Sequence, residues 1–511
     1  MIKDLEYITP EEAGIPSNKI INFIDEIEEA RINLHSFLMA RGGKVFAEGY
    51  YAPIDEKICH RIYSITKSFV SLAIGRLVGE GKISVSDRIV NYFPEYYDEG
   101  KANEWLSFLT IEEMLTMTTP MSSPNYSLAN DAPKSEAPNK LLRGDWVKCF
   151  FEYTDRHDRP NGMLFRYDSN ASHVLCVLVE KLTGKTLIEY LRPVFDKLGV
   201  SENIKCVRSP DGHSWGASGI ICTLRDLAKV GELLLRLGEC DGEQLIPREY
   251  MEKATSRLVD TCYDNGAKMY SNGYGYQIWT HKYGFEMIGM YSQRVICFPN
   301  KDFMFVCNGN SANTKDAAAH YELLHSAVLR VYRALGEALP ENGAESAKLR
   351  AKLSSLTMLG GFGEVDSPTA KDVDEVTYDL ADNPMEIKWI RLELSGGVKK
   401  LVYENPRGIK EILFGMEEFI EFTFPETHYY GMEVGTPKGK GQRAVASGAW
   451  TSPNRLLIRV NIIDTSLGHL GIVLEFKEDK VAVKFTKSAE AFLGEYNGTT
   501  YGYKQQKQNK N

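Results

Sequence analysis

The sequence predicts an α+β domain followed by a separate all-β domain. In the first two thirds of the chain, segments with helical apolar spacing alternate with short strand-like segments. Beyond them the residues alternate between apolar and polar, and 511 residues exceed what one hydrophobic core usually supports. We therefore predict a first domain over residues 1–340, a linker with a short helix over 341–357, a β-barrel or sandwich over 358–503 and a disordered tail over 504–511.

Composition and charge are those of an ordinary globular protein. The chain is 43% hydrophobic and has a net charge of -9, which gives no sign of a nucleic-acid or anionic-membrane partner. No stretch is long and apolar enough to span a bilayer, and acidic residues lie where a signal peptide would be apolar. The nine cysteines form no C-x-x-C motif and are odd in number, which is typical of free thiols in a reducing compartment. We expect a cytoplasmic protein.

The first domain is predicted to begin with a helix, a β-hairpin and a second helix. Residues 19–30 have helical apolar spacing, and residues 36–40 and 45–51 flank an Arg-Gly-Gly-Lys turn. Ser64 is expected to open the second helix. That helix is apolar on most sides from Phe69 onward, so we expect it to be buried.

Local signals predict the remaining elements. Thr110 and Glu113 form a capping box at the start of a short helix. A helix over 171–183 ends at Gly184, and Thr223 caps the next helix. Three antiparallel strands and a closing helix are expected over 273–280, 285–298, 302–308 and 316–336. Strands of the second domain are expected over 376–380, 386–394, 399–403, 410–414, 419–424, 456–463, 471–476 and 481–485.

The strongest chemical signal is the S-x-x-K pattern of Ser64 and Lys67. Residues three apart on a helix share a face, so the Ser64 hydroxyl and the Lys67 amine should be adjacent. A buried lysine has a lowered pKa and can accept the serine proton, and N–H groups at the helix start favour a developing oxyanion. The pattern alone arises by chance in long proteins, and a solvated helix face is the alternative interpretation.

Motifs of several other chemistries are absent from the sequence. It contains no H-E-x-x-H, P-loop or G-x-G-x-x-G pattern. The ten histidines lack metal-ligand spacing. His320 and His325 come closest, but five places apart on a helix they would point about 140° away from each other. We predict no metal and no cofactor.

Several segments, in chain order, resemble one family. Residues 63–83 resemble the nucleophile helix of the class C β-lactamase, penicillin-binding-protein and D-aminopeptidase superfamily of serine hydrolases. Residues 109–118 are similar to its next helix. Residues 165–170 resemble its tyrosine motif, and residues 219–229 resemble another shared segment. The resemblance implies a bacterial-type protein with a β-lactamase/transpeptidase-like fold, in which helices flank an antiparallel sheet.

The resemblance also implies roles for three residues. Ser64 would be the nucleophile, Lys67 its hydrogen-bonded partner and Tyr167 a second proton shuttle. A tyrosine beside a lysine ammonium has a stabilised phenolate, so Tyr167 is expected to exchange protons near neutral pH. Many relatives carry Tyr-x-Asn, whereas here Ser169 takes the third place and Asn170 follows. Both are possible substrate-site residues.

The third motif of the family, Lys-Thr-Gly or His-x-Gly, is altered here. Its best match is Met287 to Gly289, followed by Met290, and Lys282 to Gly284 ranks second because of its longer spacing to Pro299. With Met287 in place of a cation, the motif cannot bind a substrate carboxylate by a charge-assisted hydrogen bond. The N–H groups of Ser64 and Met290 are expected to form the oxyanion hole.

These features predict a serine hydrolase that works through an acyl-enzyme. The expected substrate is an ester, a small amide or a short peptide of the D-amino-acid type. Two alternatives stay open: β-lactamase or D-Ala-D-Ala carboxypeptidase activity, and a non-catalytic binding or sensing protein with a penicillin-recognising fold.

Overall fold

The computed structural model describes residues 5–98, 104–120, 144–154, 160–261, 272–311, 317–428, 441–464, 467–489 and 493–505. The chain divides into two compact units, Met1–Thr357 and Met358–Asn511. Most of the tail predicted over 504–511 lies outside the described residues. Among the described helices, none combines the length and hydrophobicity that a membrane crossing requires.

The first unit is built on a seven-stranded sheet. Its strands, in order across the sheet, are Glu6–Tyr7, Lys44–Tyr50, Leu34–Arg41, Phe303–Gly309, Gln293–Phe298, Gly284–Gly289 and Trp279–His281. All neighbouring strands pair antiparallel except the first two. The predicted hairpin is confirmed by the direct pairing of Leu34–Arg41 with Lys44–Tyr50.

Helices cover both faces of this sheet. On one face, Phe23 packs edge-on against Phe37 and Phe305 of the sheet. On the other, Val295 and Met304 contact the helix Leu224–Leu235 closely at Gly231. Within the described residues, the α-helices of this unit are Ser17–Glu29, Thr66–Gly79, Glu104–Phe108, Ile111–Leu115, Trp146–Thr154, Ser169–Thr183, Leu187–Leu198, Leu224–Leu235, Arg248–Ala254, Ala317–Ala334 and Gly343–Ser354.

The caps predicted from sequence are present. Thr110 and Glu113 form a complete capping box at the start of Ile111–Leu115. Thr223 is part of a second complete capping box, at the start of Leu224–Leu235. Gly184 ends its helix in the left-handed conformation, with φ of 66°. These signals are local, since each depends on residues within one helical turn.

Three predictions about this unit need correction. The strand expected over 273–280 is limited to Trp279–His281, because the preceding residues form bends and isolated bridges. Ser64 does not open an α-helix, because Tyr63–Ile65 form a 3₁₀ turn and the α-helix begins at Thr66. The segment predicted as one strand over 285–298 is two strands, interrupted by a turn at Met290–Ser292.

The second unit is a closed β-barrel. Its strands, in order, are Gly408–Met416, Lys399–Asn405, Trp389–Glu393, Thr377–Leu380, Gly498–Lys504, Lys480–Ala489, Leu467–Lys477, Arg455–Ile463, Arg443–Ser452 and Ile420–Thr423. Parallel pairing of Gly415 with Ser447 and of Met416 with Gly448 closes the sheet on itself. The predicted fold class, a helix-flanked sheet domain followed by a barrel, is confirmed, although the sequence did not predict Arg443–Ser452 and Gly498–Lys504 as strands.

Candidate active site

The centre of the candidate site is the pair formed by Ser64 and Lys67. Ser64 is partly exposed, whereas Lys67 is only 1% exposed in the first turn of the helix Thr66–Gly79. The Lys67 Nζ donates to the Ser64 Oγ at 3.1 Å and to the carbonyl oxygen of Ala217 at 2.7 Å. The residue before the serine, Tyr63, has φ of 48°, a conformation that is costly for a non-glycine residue and often found at functional sites.

Burial lowers the pKa of Lys67 to about 7. The negative charge of Asp168 opposes this shift, and the positive charge of Arg61 adds to it. Arg61 is buried and held in place, since its Nε donates to the carbonyl oxygen of Ser218 at 2.7 Å. About half of the Lys67 side chains would therefore be neutral at pH 7, and a neutral amine can accept a proton.

Tyr167 lies beside this pair. Its ring centroid is 4.8 Å from the Lys67 Nζ, and its ring stacks on Trp279 with centroids 5.9 Å apart and planes 13° apart. Burial raises the pKa of Tyr167, and a hydrogen bond with the side chain of Ser64 lowers it by less. The expectation of an easily ionised phenol is therefore wrong. Near neutral pH the Tyr167 hydroxyl keeps its proton.

Asp168, which sequence reasoning missed, fixes the position of the tyrosine motif. Its carboxylate caps the helix Ser169–Thr183 by accepting from the N–H groups of Asn170 at 2.9 Å and Ala171 at 3.0 Å. The Thr119 hydroxyl also donates to it at 2.8 Å. Aspartate before a helix is a strong N-cap signal that would have marked it. Ser169 and Asn170 are buried in the first turn of this helix.

The third-motif strand Gly284–Gly289 runs directly against the segment that leads to Ser64. A Cβ atom added to Gly289 would lie 2.3 Å from the carbonyl oxygen of Ile62, so only glycine permits this approach. Met287 is buried in the hydrophobic core of the first unit and supplies no charge. Lys282, in the second-ranked match, lies two residues before Gly284, and Gly284 is about 17 Å from Gly289 at 3.4 Å per residue.

Beyond Gly289 the backbone makes an unusual turn at Met290–Ser292. Tyr291 and Ser292 have φ of 65° and 75°, although neither is glycine. The Tyr291 ring packs edge-on against Tyr63, with centroids 5.1 Å apart, so this turn contacts the residue before the serine. The structure thus brings Gly289 and the turn that follows it next to the segment that leads to Ser64.

A largely aromatic cluster packs against Tyr167. Its buried members and the side chains packed against them come from several loops and strands of the first unit. They are Met117, Phe165, Tyr274, Trp279 and Ile288, with Tyr167, Val259 and Tyr321 at its edge. An apolar neighbourhood of this kind favours uncharged groups over charged ones.

A second serine motif, which sequence reasoning overlooked, does not form a nucleophile site. Residues 212–216 read G-x-S-x-G, but Ser214 is buried and pairs with Arg208 in an isolated β-bridge rather than at a strand-to-helix turn. Its hydroxyl accepts the N–H of Leu187 at 3.3 Å, and its own N–H donates to Glu180 at 3.1 Å. These contacts give Ser214 a structural role.

One group among the described residues has the spacing of a metal site. Ligand atoms of Glu426, His428 and Glu495 in the second unit lie within 4.8 Å of one another. Arg407, however, contacts Glu426 at 2.9 Å and Glu495 at 3.1 Å. Lys410 also lies 3.8 Å from Glu426, so two cationic side chains already balance the two carboxylates and the group does not fit a further cation.

The helix-flanked sheet with a serine, a lysine and a tyrosine at one point defines the β-lactamase/transpeptidase-like class of proteins. The chain belongs to the beta-lactamase family, whose model matches residues 22–329.

Individual relatives share limited parts of the chain. The 6-aminohexanoate-dimer hydrolase of Paenarthrobacter ureafaciens is 28% identical over 227 residues, which cover 42% of this chain and 56% of that protein. Protein flp of Staphylococcus aureus (strain COL) is 25% identical over 177 residues, 32% of this chain and 33% of that protein. The matches thus span about half or less of these relatives.

Among solved structures, a Bacillus anthracis protein provisionally named a 6-aminohexanoate-dimer hydrolase is similar, with a TM-score of 0.51 and 18% identity. The match covers 66% of this chain and 89% of that protein. At this identity the similarity shows the fold alone.

Proposed function

We propose that this protein is a serine hydrolase that forms an acyl-enzyme on Ser64. The observation that carries the proposal is the 3.1 Å hydrogen bond between the Ser64 hydroxyl and the Lys67 amine, whose pKa is lowered to about 7. A serine becomes a nucleophile when an adjacent base accepts its proton. Lys67 meets both requirements, proximity and basicity near neutral pH.

The two proton-transferring residues have different roles in this proposal. Neutral Lys67 takes the proton from Ser64 Oγ as the oxygen attacks the substrate carbonyl carbon. Tyr167 keeps its proton because burial raises its pKa, so it acts as the acid that protonates the departing oxygen or nitrogen. The Lys67 ammonium then returns a proton to Tyr167. In the second half of the reaction, neutral Lys67 takes a proton from water as the water oxygen attacks the acyl carbon. The bond between that carbon and Ser64 Oγ then breaks, the acid product leaves, and the Lys67 ammonium protonates Ser64 Oγ.

The backbone supplies the proposed oxyanion hole. The N–H groups of Ser64 and Met290 are the candidate donors. The close approach of Gly289 to Ile62 supports this pairing, because it holds the two backbone segments against each other. N–H groups fixed before the reaction stabilise a tetrahedral oxyanion without reorganising.

The substrate that fits best is an ester or a neutral amide. Met287 offers no cation for a carboxylate of the kind that β-lactams and D-Ala-D-Ala peptides carry, and the cluster around Tyr167 is aromatic. The name of the Paenarthrobacter relative, a 6-aminohexanoate-dimer hydrolase, adds amides of amino acids to the candidates, and the carboxylate of such a dimer would need a partner other than Met287.

Covalent labelling tests the nucleophile. Wild-type protein incubated with a fluorophosphonate should gain one phosphonyl group on Ser64, detected by mass spectrometry of the intact chain and its peptides. Ser64→Ala should gain none, whereas Ser214→Ala, in the overlooked serine motif, should label like wild type. Without a Ser64-dependent adduct the proposal fails, and a binding protein becomes the better interpretation.

Turnover tests the substrate class. p-Nitrophenyl butyrate, the 6-aminohexanoate dimer and a penicillin should be compared at equal concentrations of active sites, which are counted by fluorophosphonate labelling of a separate sample. We expect the ester or the dimer to be cleaved fastest. Penicillin hydrolysis far faster than both would contradict the substrate class while leaving Ser64 as the nucleophile.

A further inference from the structure

The turn Met290–Ser292 needs external support to keep its shape. Tyr291 and Ser292 both have positive φ without being glycine, so the local sequence does not favour this conformation. The turn follows Gly289 directly and carries the Met290 N–H, one of the two proposed oxyanion donors. A change in its shape would move that N–H.

Gln293 supplies much of this support. It is 0% exposed, and its Nε2 donates to the carbonyl oxygens of Met290 at 3.2 Å and Tyr291 at 3.3 Å. The same amide binds the neighbouring strand through Gly309, donating to its carbonyl oxygen at 2.6 Å and accepting from its N–H at 3.4 Å. One side chain thus fixes two consecutive peptide groups of the turn to the sheet.

Tyr321 holds the turn from the other side. It lies on the helix Ala317–Ala334, and its hydroxyl oxygen accepts the N–H of Ser292 at 3.2 Å. The buried Arg294 ties this helix to the sheet by donating to the carbonyl oxygen of Tyr321 at 3.3 Å. The turn is therefore fixed on both its carbonyl side and its N–H side.

We propose that Gln293 and Tyr321 are positioning residues that aim the Met290 N–H at the oxyanion. The proposal rests on the proposed acyl-transfer function. Neither side chain need touch the substrate: each acts through the turn. Loss of either residue would lower transition-state stabilisation and leave ground-state binding nearly unchanged.

Two variants and one control test the proposal. Gln293→Met keeps the length of the side chain and removes its hydrogen bonds, and Tyr321→Phe removes one acceptor. Val295→Ala, two residues along the same strand, creates a core cavity without touching the turn. For each protein we would measure kcat and KM with p-nitrophenyl butyrate, and Ki for phenylboronic acid, whose tetrahedral adduct places an oxygen in the oxyanion hole. Active sites are counted by complete fluorophosphonate labelling.

Both test variants should lose about tenfold or more in kcat, below the 10²–10³ loss typical of removing a direct oxyanion donor. Their Ki for phenylboronic acid should rise by a similar factor while KM stays within about twofold. Val295→Ala should lose thermal stability yet keep kcat and Ki per active site. A structural role alone would make Gln293→Met behave like this control.

Unchanged kcat and Ki per active site in folded Gln293→Met would overturn the proposal. If Gln293→Met does not fold, Tyr321→Phe decides in the same way, with lowered kcat and raised Ki supporting the proposal and unchanged values refuting it. Failure of the proposed function gives a different result, since wild type would then show no Ser64-dependent adduct.

Discussion

Lys67 donates a hydrogen bond to Ser64 across 3.1 Å while burial holds the pKa of its amine at about 7. The two facts belong together, because a lysine with its ordinary pKa of 10.5 would stay protonated at neutral pH and could not accept the serine proton. The helix Thr66–Gly79 is buried on nearly all sides, so the fold itself creates the base.

The pH dependence of turnover should follow the titration of Lys67. Because the neutral amine is the active form, kcat/KM should rise as the pH increases through about 7. Asp168→Asn removes a negative charge that raises the Lys67 pKa, so the rising limb should move to lower pH. Asparagine still caps the helix, so the fold should be kept. The measurement is kcat/KM against pH in wild type and Asp168→Asn. A rising limb that moved to higher pH in the variant would contradict the assignment of this limb to Lys67.

Stability should also depend on Lys67. Its pKa is about 7 in the folded protein and 10.5 in a model peptide, so between these values the unfolded chain binds more protons than the folded one. The free energy of unfolding should therefore rise with pH in this window, by at most about 1.4 kcal/mol per pH unit. Lys67→Met should lack this contribution. Urea titrations of both proteins at several pH values between the two pKa values measure the difference between their free energies of unfolding. This difference would not change with pH if Lys67 were protonated throughout.

Gly289→Ala should damage the site more than the fold. The new Cβ would lie 2.3 Å from the Ile62 carbonyl oxygen and push apart the segments that carry Met290 and Ser64. We expect a loss of about 1–3 kcal/mol in stability from overpacking and about 10²-fold in kcat from misplaced groups. Denaturant titration and ester turnover measure the two effects.

Gly471→Ala is the matched control for this change. It also adds a methyl group to a strand glycine, but no atom lies within 4 Å of the new Cβ. Its turnover should equal that of wild type. Equal turnover in Gly289→Ala would show that the close approach to Ile62 is not needed for activity.

The sequence predicted the elements whose causes are local. Thr110, Thr223 and Gly184 act within a single helical turn, and the structure has each of them as a cap. The fold class followed from the change in apolar spacing between the two units. The strand Arg443–Ser452 was missed because its Ala, Ser and Gly residues have low strand propensity and the neighbouring strands determine its pairing.

The parts of the site that depend on distant contacts could not be predicted. Arg61 contributes to the low pKa of Lys67, and its guanidinium binds the carbonyl oxygen of Ser218, which is far away in sequence. The break in the predicted strand at Met290–Ser292 contains no glycine or proline, and its shape depends on Gln293 and Tyr321. The acidity of Tyr167 was predicted from its lysine neighbour, whereas burial has the larger effect.

A buried ion pair joins the strand Gly284–Gly289 to the neighbouring strand Gln293–Phe298. Glu286 and Arg294 are both 0% exposed and contact each other directly. Burial would raise the pKa of Glu286, but the guanidinium of Arg294 and nearby histidines lower it, so the carboxylate stays charged. Glu286→Gln should leave an uncompensated buried cation and cost about 3–5 kcal/mol in the free energy of unfolding. Urea denaturation monitored by circular dichroism measures it.

A double variant distinguishes the effect of removing both charges from the effect of removing one. Glu286→Leu with Arg294→Met removes both charges together and should be far less destabilising than Glu286→Gln, because apolar side chains can replace a buried ion pair at little cost. It also removes the Arg294 link to Tyr321, so its turnover should fall even where its stability is close to wild type. The single variants Glu286→Leu and Arg294→Met complete the comparison. If the double variant lost as much stability as these two single variants added together, the two charges would not be coupled, and the stability of this strand pair would depend on packing alone.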